Sequence, residues 1–137
     1  MKIRDVMSQD VQVAQTGDTI QQVAARMAAG DFGFLPVADG DSLTGTITDR
    51  DIAVRAVAQG KPDSTPVTEV MTSGATTVRD TDDLQSALDL MGGGKIRRLP
   101  VVDKHGKLVG VVSLGDLSTR VKERYAGEAL ETISQPH

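Results

Sequence analysis

Two short patterns that combine a hydroxyl with a carboxylate are the part of this sequence best suited to binding chemistry. Thr48 precedes Asp51 by three positions, and Ser113 precedes Asp116 by the same spacing. The oxygens of such a pair can both accept hydrogen bonds from the adjacent hydroxyls of a sugar. At the start of a helix the same pair can act as a cap instead, because the hydroxyl accepts from the backbone and the carboxylate complements the helix dipole. The residues alone leave both interpretations open.

Arg97 and Arg98 are a second candidate for binding chemistry. A guanidinium group presents its donors in a planar fork that matches the oxygens of a phosphate. Arginines beside a strand can also serve only to discourage aggregation of an exposed sheet edge. Both interpretations of this pair stay open from the residues alone.

Other polar residues do not form a catalytic or metal-binding pattern. The glycines of GGGK, residues 92–95, lack the full phosphate-loop motif and follow a predicted helix rather than a strand. His105 lies in a polar turn and His137 is the last residue, and neither has a second ligand at metal spacing. Ser113 has no histidine base nearby in the sequence. We therefore expect no catalytic residues, no metal site and no enzyme activity.

Composition excludes several classes of protein. The 137 residues include 15 basic and 19 acidic side chains, and this net charge of −4 argues against nucleic-acid binding. There are no cysteines, so disulfides and thiolate chemistry are excluded. No apolar segment approaches the roughly 18 residues of a membrane span, and the start of the chain has no apolar signal core. We expect a cytoplasmic protein that does not engage a membrane.

An internal repeat predicts the elements that position the candidate residues. Val6-Met7 recurs as Val70-Met71, and Leu35-Pro36-Val37 recurs as Leu99-Pro100-Val101. Each half is small enough to be marginal alone, so we expect the two copies to share one core. The predicted divisions are copy 1 over 1–59, a linker rich in proline and glycine over 60–66, copy 2 over 67–125 and a tail over 126–137.

The sequence of each copy predicts the element order β-α-β-β-α, preceded by a short lead-in helix. The predicted fold is therefore a mixed α/β fold of the α+β type. Apolar residues at helical spacing over 20–27 predict the first helix. Its expected N-cap, capping partner and stop recur in both copies: Asp18, Gln21 and Gly30, then Asp82, Gln85 and Gly94. Each predicted element occurs twice: lead-in helices at 3–7 and 67–71, first strands at 11–14 and 76–78, hairpins at 35–48 and 99–113, and second helices at 49–59 and 114–125.

The repeated motifs resemble the CBS domain, and the pair resembles a free-standing Bateman module. The resemblance depends on the DVM and EVM openings, the two LPV strands, and the segments GTITDRD and GVVSLGD. It implies two halves related by pseudo-twofold symmetry, with ligand clefts between them. It also implies an adenosyl effector, either AMP, ADP or ATP or a ligand like S-adenosylmethionine, and an unidentified regulated protein. No catalytic cofactor is implied.

The same resemblance implies a role for particular residues in two clefts. In one cleft Ser113 and Asp116 would hold a ribose, and Arg97 and Arg98 would hold phosphates. In the other, Thr48 and Asp51 would hold the ribose without an equivalent arginine pair, with Arg50 as a partial substitute. A phosphorylated ligand should therefore prefer the Asp116 cleft. The remaining expected contacts line the base: Asp10, Val11, Gln12, Phe32 and Gly33 in the first cleft, and Ala75, Thr76 and Ile96 in the second.

Two further expectations concern association. The apolar residues Ile52, Ala53, Val54, Ala56 and Val57 crowd into one short helix and exceed a single buried stripe. Similar CBS pairs dimerise through such helices, which implies a homodimer. The alternative function is a dimerisation or protein-interaction module whose clefts hold no ligand.

Overall fold

The computed structural model describes residues 1–92, 96–120 and 122–123, which form two small β-sheets with helices packed against them. The strands are β1 Ala14–Gln15, β2 Phe34–Asp39, β3 Ser42–Thr48, β4 Thr72–Ser73, β5 Val78–Arg79, β6 Arg98–Val102 and β7 Leu108–Ser113. The helices are α1 Ile20–Gly30, α2, α3 Leu84–Met91 and α4 at 114–120. Helix α2 starts as one α-turn, Asp49–Asp51, and continues as a π-helix, Ile52–Val57. This architecture confirms the predicted mixed α+β fold with two related halves.

Both halves use the same strand pairing. In the first sheet β1 runs parallel to β2, and β2 forms an antiparallel hairpin with β3. In the second sheet β5 runs parallel to β6, and β6 forms a hairpin with β7. The two hairpins agree closely with their predicted ranges because their apolar strands and polar turns are local signals.

The start of each copy packs against the other copy. Strand β4 follows the second lead-in helix but pairs antiparallel with β3 of the first copy. In the corresponding place Ser8 pairs with Val111 of β7, through backbone hydrogen bonds of 2.8 and 3.0 Å. The lead-in helices, Ile3–Asp5 and Val67–Glu69, are exchanged in the same way. The halves are therefore interlocked rather than simply placed side by side.

The buried apolar residues form two clusters, so the expectation of one shared core is wrong. Ile3 and Val6 from the first copy are buried with the second sheet, and Val67 and Val70 from the second copy are buried with the first sheet. Neither copy contains all of its own core. The exchanged segments, rather than a common core, join the halves.

The predicted helix caps are displaced by one residue. Thr19, not Asp18, is the N-cap of α1: its Oγ1 accepts from the Gln22 backbone N–H at 3.2 Å, and the Gln22 side chain accepts from the Thr19 N–H at 2.9 Å. Asp18 instead accepts from the backbone N–H of Gln15 at 2.9 Å, which closes the turn after β1. The cap prediction is wrong because that turn already uses the Asp18 carboxylate.

The second copy shows the same displacement. Asp82 accepts from the Arg79 N–H at 2.9 Å, and Asp83 precedes α3 without a side-chain cap. The predicted stop, Gly30, is the last residue of α1. The residue that caps the helix in a left-handed conformation is Asp31, with φ 55°. Gly94, residue 121 and residues 124–137 lie outside the described residues, as do the predicted end of the last helix and the tail.

The first strand of each copy starts later than predicted. Regular pairing begins at Ala14 and Val78, and residues 11–13 and 75–77 directly before them have no regular structure. Helix α2 ends at Val57 rather than at residue 59. These irregular segments border the two clefts between the copies.

Candidate functional site

Two clefts lie between the two copies of the repeat. The Asp116 cleft has a volume of about 370 Å³, and the Thr48 cleft has a volume of about 660 Å³. Polar residues of both copies line the first: Ser8, Asp10, Gln12, Arg98, Ser113 and Asp116, with Val11, Phe32, Phe34, Leu35, Pro36 and Val111 as its apolar surface. The second is lined by Gly33, Phe34, Thr46, Thr48, Asp49, Arg50, Thr72, Gly74, Ala75, Thr76, Ile96, Arg97, Arg98 and Pro100.

The two clefts meet at the starts of β2 and β6. Phe34 begins β2 and Arg98 begins β6, and both residues line both clefts. These positions are equivalent in the repeat, so the centre of the molecule carries one aromatic ring and one guanidinium group rather than two copies of either.

At the Thr48 cleft the hydroxyl–carboxylate pair forms a complete helix cap. Asp51 Oδ2 accepts from the Thr48 backbone N–H at 3.0 Å, and Thr48 Oγ1 accepts from the Asp51 N–H at 3.1 Å. The other oxygen of Asp51 lies 3.8 Å from Arg55 Nε, and its side chain is only 16% exposed. Asp51 is not among the residues that line the cleft. The geometry at this site is that of a cap.

At the Asp116 cleft the corresponding pair is only half engaged. Ser113 Oγ accepts from the Asp116 backbone N–H at 3.0 Å. Among the described residues no hydrogen bond or ion pair occupies the Asp116 carboxylate, which is exposed and lines the cleft. This carboxylate has acceptor capacity left for a ligand.

The structure separates the two neighbouring arginines. Arg98 lines both clefts, but Arg97 lines the Thr48 cleft and not the Asp116 cleft. Adjacent residues entering a strand point to opposite sides, and the expectation that both side chains line the Asp116 cleft is wrong. Gly33 is separated from Phe32 in the same way. Arg50 lines the Thr48 cleft, where it was expected as a partial substitute. Arg97 and Arg98 line the same cleft, so the expectation that it lacks an arginine pair is wrong.

The other expected residues lie in the clefts to which they were assigned. Asp10, Val11, Gln12 and Phe32 line the Asp116 cleft. Ala75, Thr76 and Ile96 line the Thr48 cleft. Whether any of them contacts a ligand remains a prediction.

Sequence reasoning missed the residues that enter through the exchanged segments and the strand starts. Ser8 and Thr72 follow the two VM motifs and line opposite clefts. Their position depends on pairing with the other copy, which no local pattern indicates. Phe34 could have been found, because it aligns with Arg98 in the repeat.

Metal-binding groups are not assembled in the described part of the chain. Within residues 1–92, 96–120 and 122–123, no three His, Cys, Asp or Glu side chains come together as ligands. His105 lies in the turn before β7, and His137 lies outside the described residues.

In the turn before β7, hydrogen bonds from the backbone N–H groups of Lys107 and His105 hold the pKa of Asp103 below its usual value.

Across the same described ranges, no helix is both long enough and apolar enough to cross a bilayer.

Comparison with known proteins identifies the class to which this fold and these clefts belong. The family model of the CBS domain matches residues 3–57 and again 67–123. The chain therefore belongs to the CBS domain family, as a tandem pair. It is similar to the CBS domain-containing protein YhcV of Bacillus subtilis (strain 168), with 41% identity over 133 residues that cover 96% of this chain and 94% of that protein.

Solved structures of CBS proteins share the fold. CBSX2 in complex with AMP superposes with a TM-score of 0.80 at 25% identity, covering 90% of this chain and 98% of that chain. The CBS domain pair of MJ0100, in complex with 5′-methylthioadenosine and S-adenosyl-L-methionine, superposes with a TM-score of 0.79 at 27% identity and the same coverage. Both of these proteins are thus seen with adenosyl ligands.

Proposed function

We propose that this protein is a regulatory module that binds an adenosyl effector, from the AMP, ADP and ATP series or like S-adenosylmethionine, in its clefts. The observation that carries the proposal is the Asp116 carboxylate, which faces a cleft built by both copies and keeps acceptor capacity beside the Ser113 hydroxyl. CBSX2 and MJ0100, which share this fold, are seen with such ligands. The effector acts as a signal and not as a catalytic cofactor.

In this proposal Asp116 and Ser113 accept hydrogen bonds from the two ribose hydroxyls. The base lies against Phe32 and the irregular segment at 10–12, whose residues line the same cleft. Because the two copies contribute opposite walls, a bound ligand favours the arrangement that completes its site. An unidentified regulated protein would sense this preference for the ligand-bound arrangement. The absence of cysteine fits a cytoplasmic setting.

Thermal unfolding in the presence of adenosine, AMP, ATP and S-adenosylmethionine tests this function. A ligand that binds only the folded protein, at a concentration of about 100 times its Kd, stabilises by about 2.7 kcal/mol and raises Tm by several degrees. We expect at least one adenosyl ligand to do so, with cytidine as the inactive control. We also expect chromatography to recover every ligand unchanged, since the module is proposed to have no catalytic activity.

If no adenosyl ligand raises Tm at millimolar concentration, the proposed function is wrong and the ligand-free interaction module becomes the better description. Turnover of ATP that persists in pure protein and is lost in Asp116→Ala would overturn the assignment as a non-enzyme.

A homodimer is the second part of the proposal, and the outer face of α2 supports it. Val57 is 70% exposed and Val54 is 46% exposed, while Ala56 between them is fully buried. Apolar side chains exposed together on one helix are typical of an association surface. A second copy is the partner we propose.

Light scattering at micromolar concentration should give about twice the 14.5 kDa chain mass for the wild type. Val57→Asp should lower the mass toward that of one chain, because it places a charge in an apolar interface. Leu90→Asp is the matched control, since Leu90 is a similarly exposed apolar residue on α3. A wild-type mass of one chain would refute the dimer.

A further inference from the structure

The two clefts differ in the charge of the residues that line them. In the part of the chain that the structure describes, Arg50, Arg97 and Arg98 line the Thr48 cleft together with one carboxylate, that of Asp49. Of the described residues that line the Asp116 cleft, Arg98 is the only cation, and Asp10 and Asp116 contribute carboxylates. One cleft is therefore net positive, and the other is net negative.

The arginines of the Thr48 cleft keep their donors available. Arg26, Arg55 and Arg120 form ion pairs elsewhere in the fold. Within the residues that the structure describes, no side-chain hydrogen bond or ion pair engages the guanidinium of Arg50, Arg97 or Arg98. Three unengaged guanidinium groups around a space of about 660 Å³ can contact several phosphate oxygens at once.

The Asp49 carboxylate of the Thr48 cleft already accepts a hydrogen bond from the backbone. Asp49 Oδ1 accepts from the Arg50 N–H at 2.8 Å, and the carboxylate packs against Gly33, where an added Cβ would lie 2.6 Å from Oδ2. The Asp51 carboxylate, which could have held a ribose, belongs to the helix cap instead. The strongest groups left to hold a ligand in this cleft are its arginines.

The Asp116 cleft has the opposite preference. Its two carboxylates disfavour phosphate groups but can accept hydrogen bonds from sugar hydroxyls and attract a cationic group. Asp10 has no acidic counterpart in the Thr48 cleft, because the equivalent position of the repeat is Gly74. The difference in charge follows from substitutions between the two copies.

We propose that the clefts bind different classes of adenosyl ligand: the Thr48 cleft binds those with 5′-phosphates, and the Asp116 cleft binds those whose 5′ substituent is neutral or cationic. This inference rests on the proposed function and refines it. It also reverses the preference expected from the sequence, which assigned phosphorylated ligands to the Asp116 cleft. The protein would then respond to two metabolic signals rather than one.

Calorimetric titration of the full chain with ATP and with adenosine, in the absence of divalent cations, tests this assignment. Arg97→Gln should weaken ATP binding by roughly tenfold, since it removes a charged hydrogen bond, and should leave adenosine binding unchanged. Arg50→Gln is a second, independent variant with the same expected pattern. Arg79→Gln is the matched control, because this exposed arginine lies outside both clefts and its loss changes the net charge equally.

The outcomes separate the two proposals. If ATP binding is weakened by Asp116→Ala but by neither Arg97→Gln nor Arg50→Gln, phosphates occupy the Asp116 cleft and this inference is wrong. Binding of adenosine without binding of ATP would also overturn it, while the proposed function would stand. If neither ligand binds the wild type, the proposed function itself fails. A fall in ATP affinity with rising salt, with adenosine affinity unchanged, would support the positive cleft.

Discussion

Asp116→Ala is expected to weaken the binding of adenosine by about tenfold or more, because it removes a charged acceptor worth roughly 1.5–3 kcal/mol to a ribose hydroxyl. The carboxylate faces the cleft without a partner among the described residues, so its loss should change affinity more than stability. Isothermal titration measures the affinity, and thermal unfolding of the unliganded protein measures the stability.

Asp51→Ala is the matched control, since it removes the equivalent carboxylate of the repeat. Asp51 caps α2 and does not line a cleft, so we expect a loss of about 1 kcal/mol of stability with adenosine affinity unchanged. The reverse pattern, with affinity lost in Asp51→Ala and retained in Asp116→Ala, would contradict our assignment of the ribose site.

Gly45→Ala is expected to be the most destabilising of the single substitutions considered, at about 1–3 kcal/mol or more. Gly45 lies in β3 opposite the exchanged strand β4. A Cβ there would meet the backbone carbonyl of Thr72 and lie 3.0 Å from the Met71 sulfur. Because the carbonyl belongs to a paired strand, it cannot move aside as a side-chain end could. Urea unfolding of both proteins gives the difference in free energy.

Gly17→Ala is the control for the added methyl group, because nothing lies within 4 Å of the corresponding Cβ. It should leave stability within about 0.5 kcal/mol of the wild type, the usual range for a surface substitution. Equal stability of Gly45→Ala and Gly17→Ala would mean that β3 and β4 are not packed as described.

Local patterns predicted most of the fold. The β2–β3 and β6–β7 hairpins follow from apolar runs around polar turns, and α1 follows from its helical spacing. The cap at Thr19 was missed by one residue because Asp18 could serve either the helix or the preceding turn, and only the three-dimensional structure decides between them.

The clefts were less predictable than the elements that build them. Repeat alignment placed Ser113 and Asp116 correctly beside one cleft, but it treated Arg97 and Arg98 as one unit. Side chains alternate across a strand, and Arg97 lines only the Thr48 cleft, whereas Arg98 lines both clefts. The positions of Ser8 and Thr72 beside the clefts depend on contacts between residues far apart in sequence, which no periodicity reveals.

The exchanged lead-in segments also constrain the order in which the chain can fold. Ile3 donates its N–H to the Asp82 carbonyl, and Ser8 pairs with Val111, so the first lead-in segment forms these contacts with residues of the second copy. The first sheet likewise needs Val67, Val70 and β4. Such long-range contacts slow folding, since a large loop must close before they form. We therefore expect the first copy to complete its fold during synthesis only after much of the second copy has left the ribosome, so that the two copies fold together.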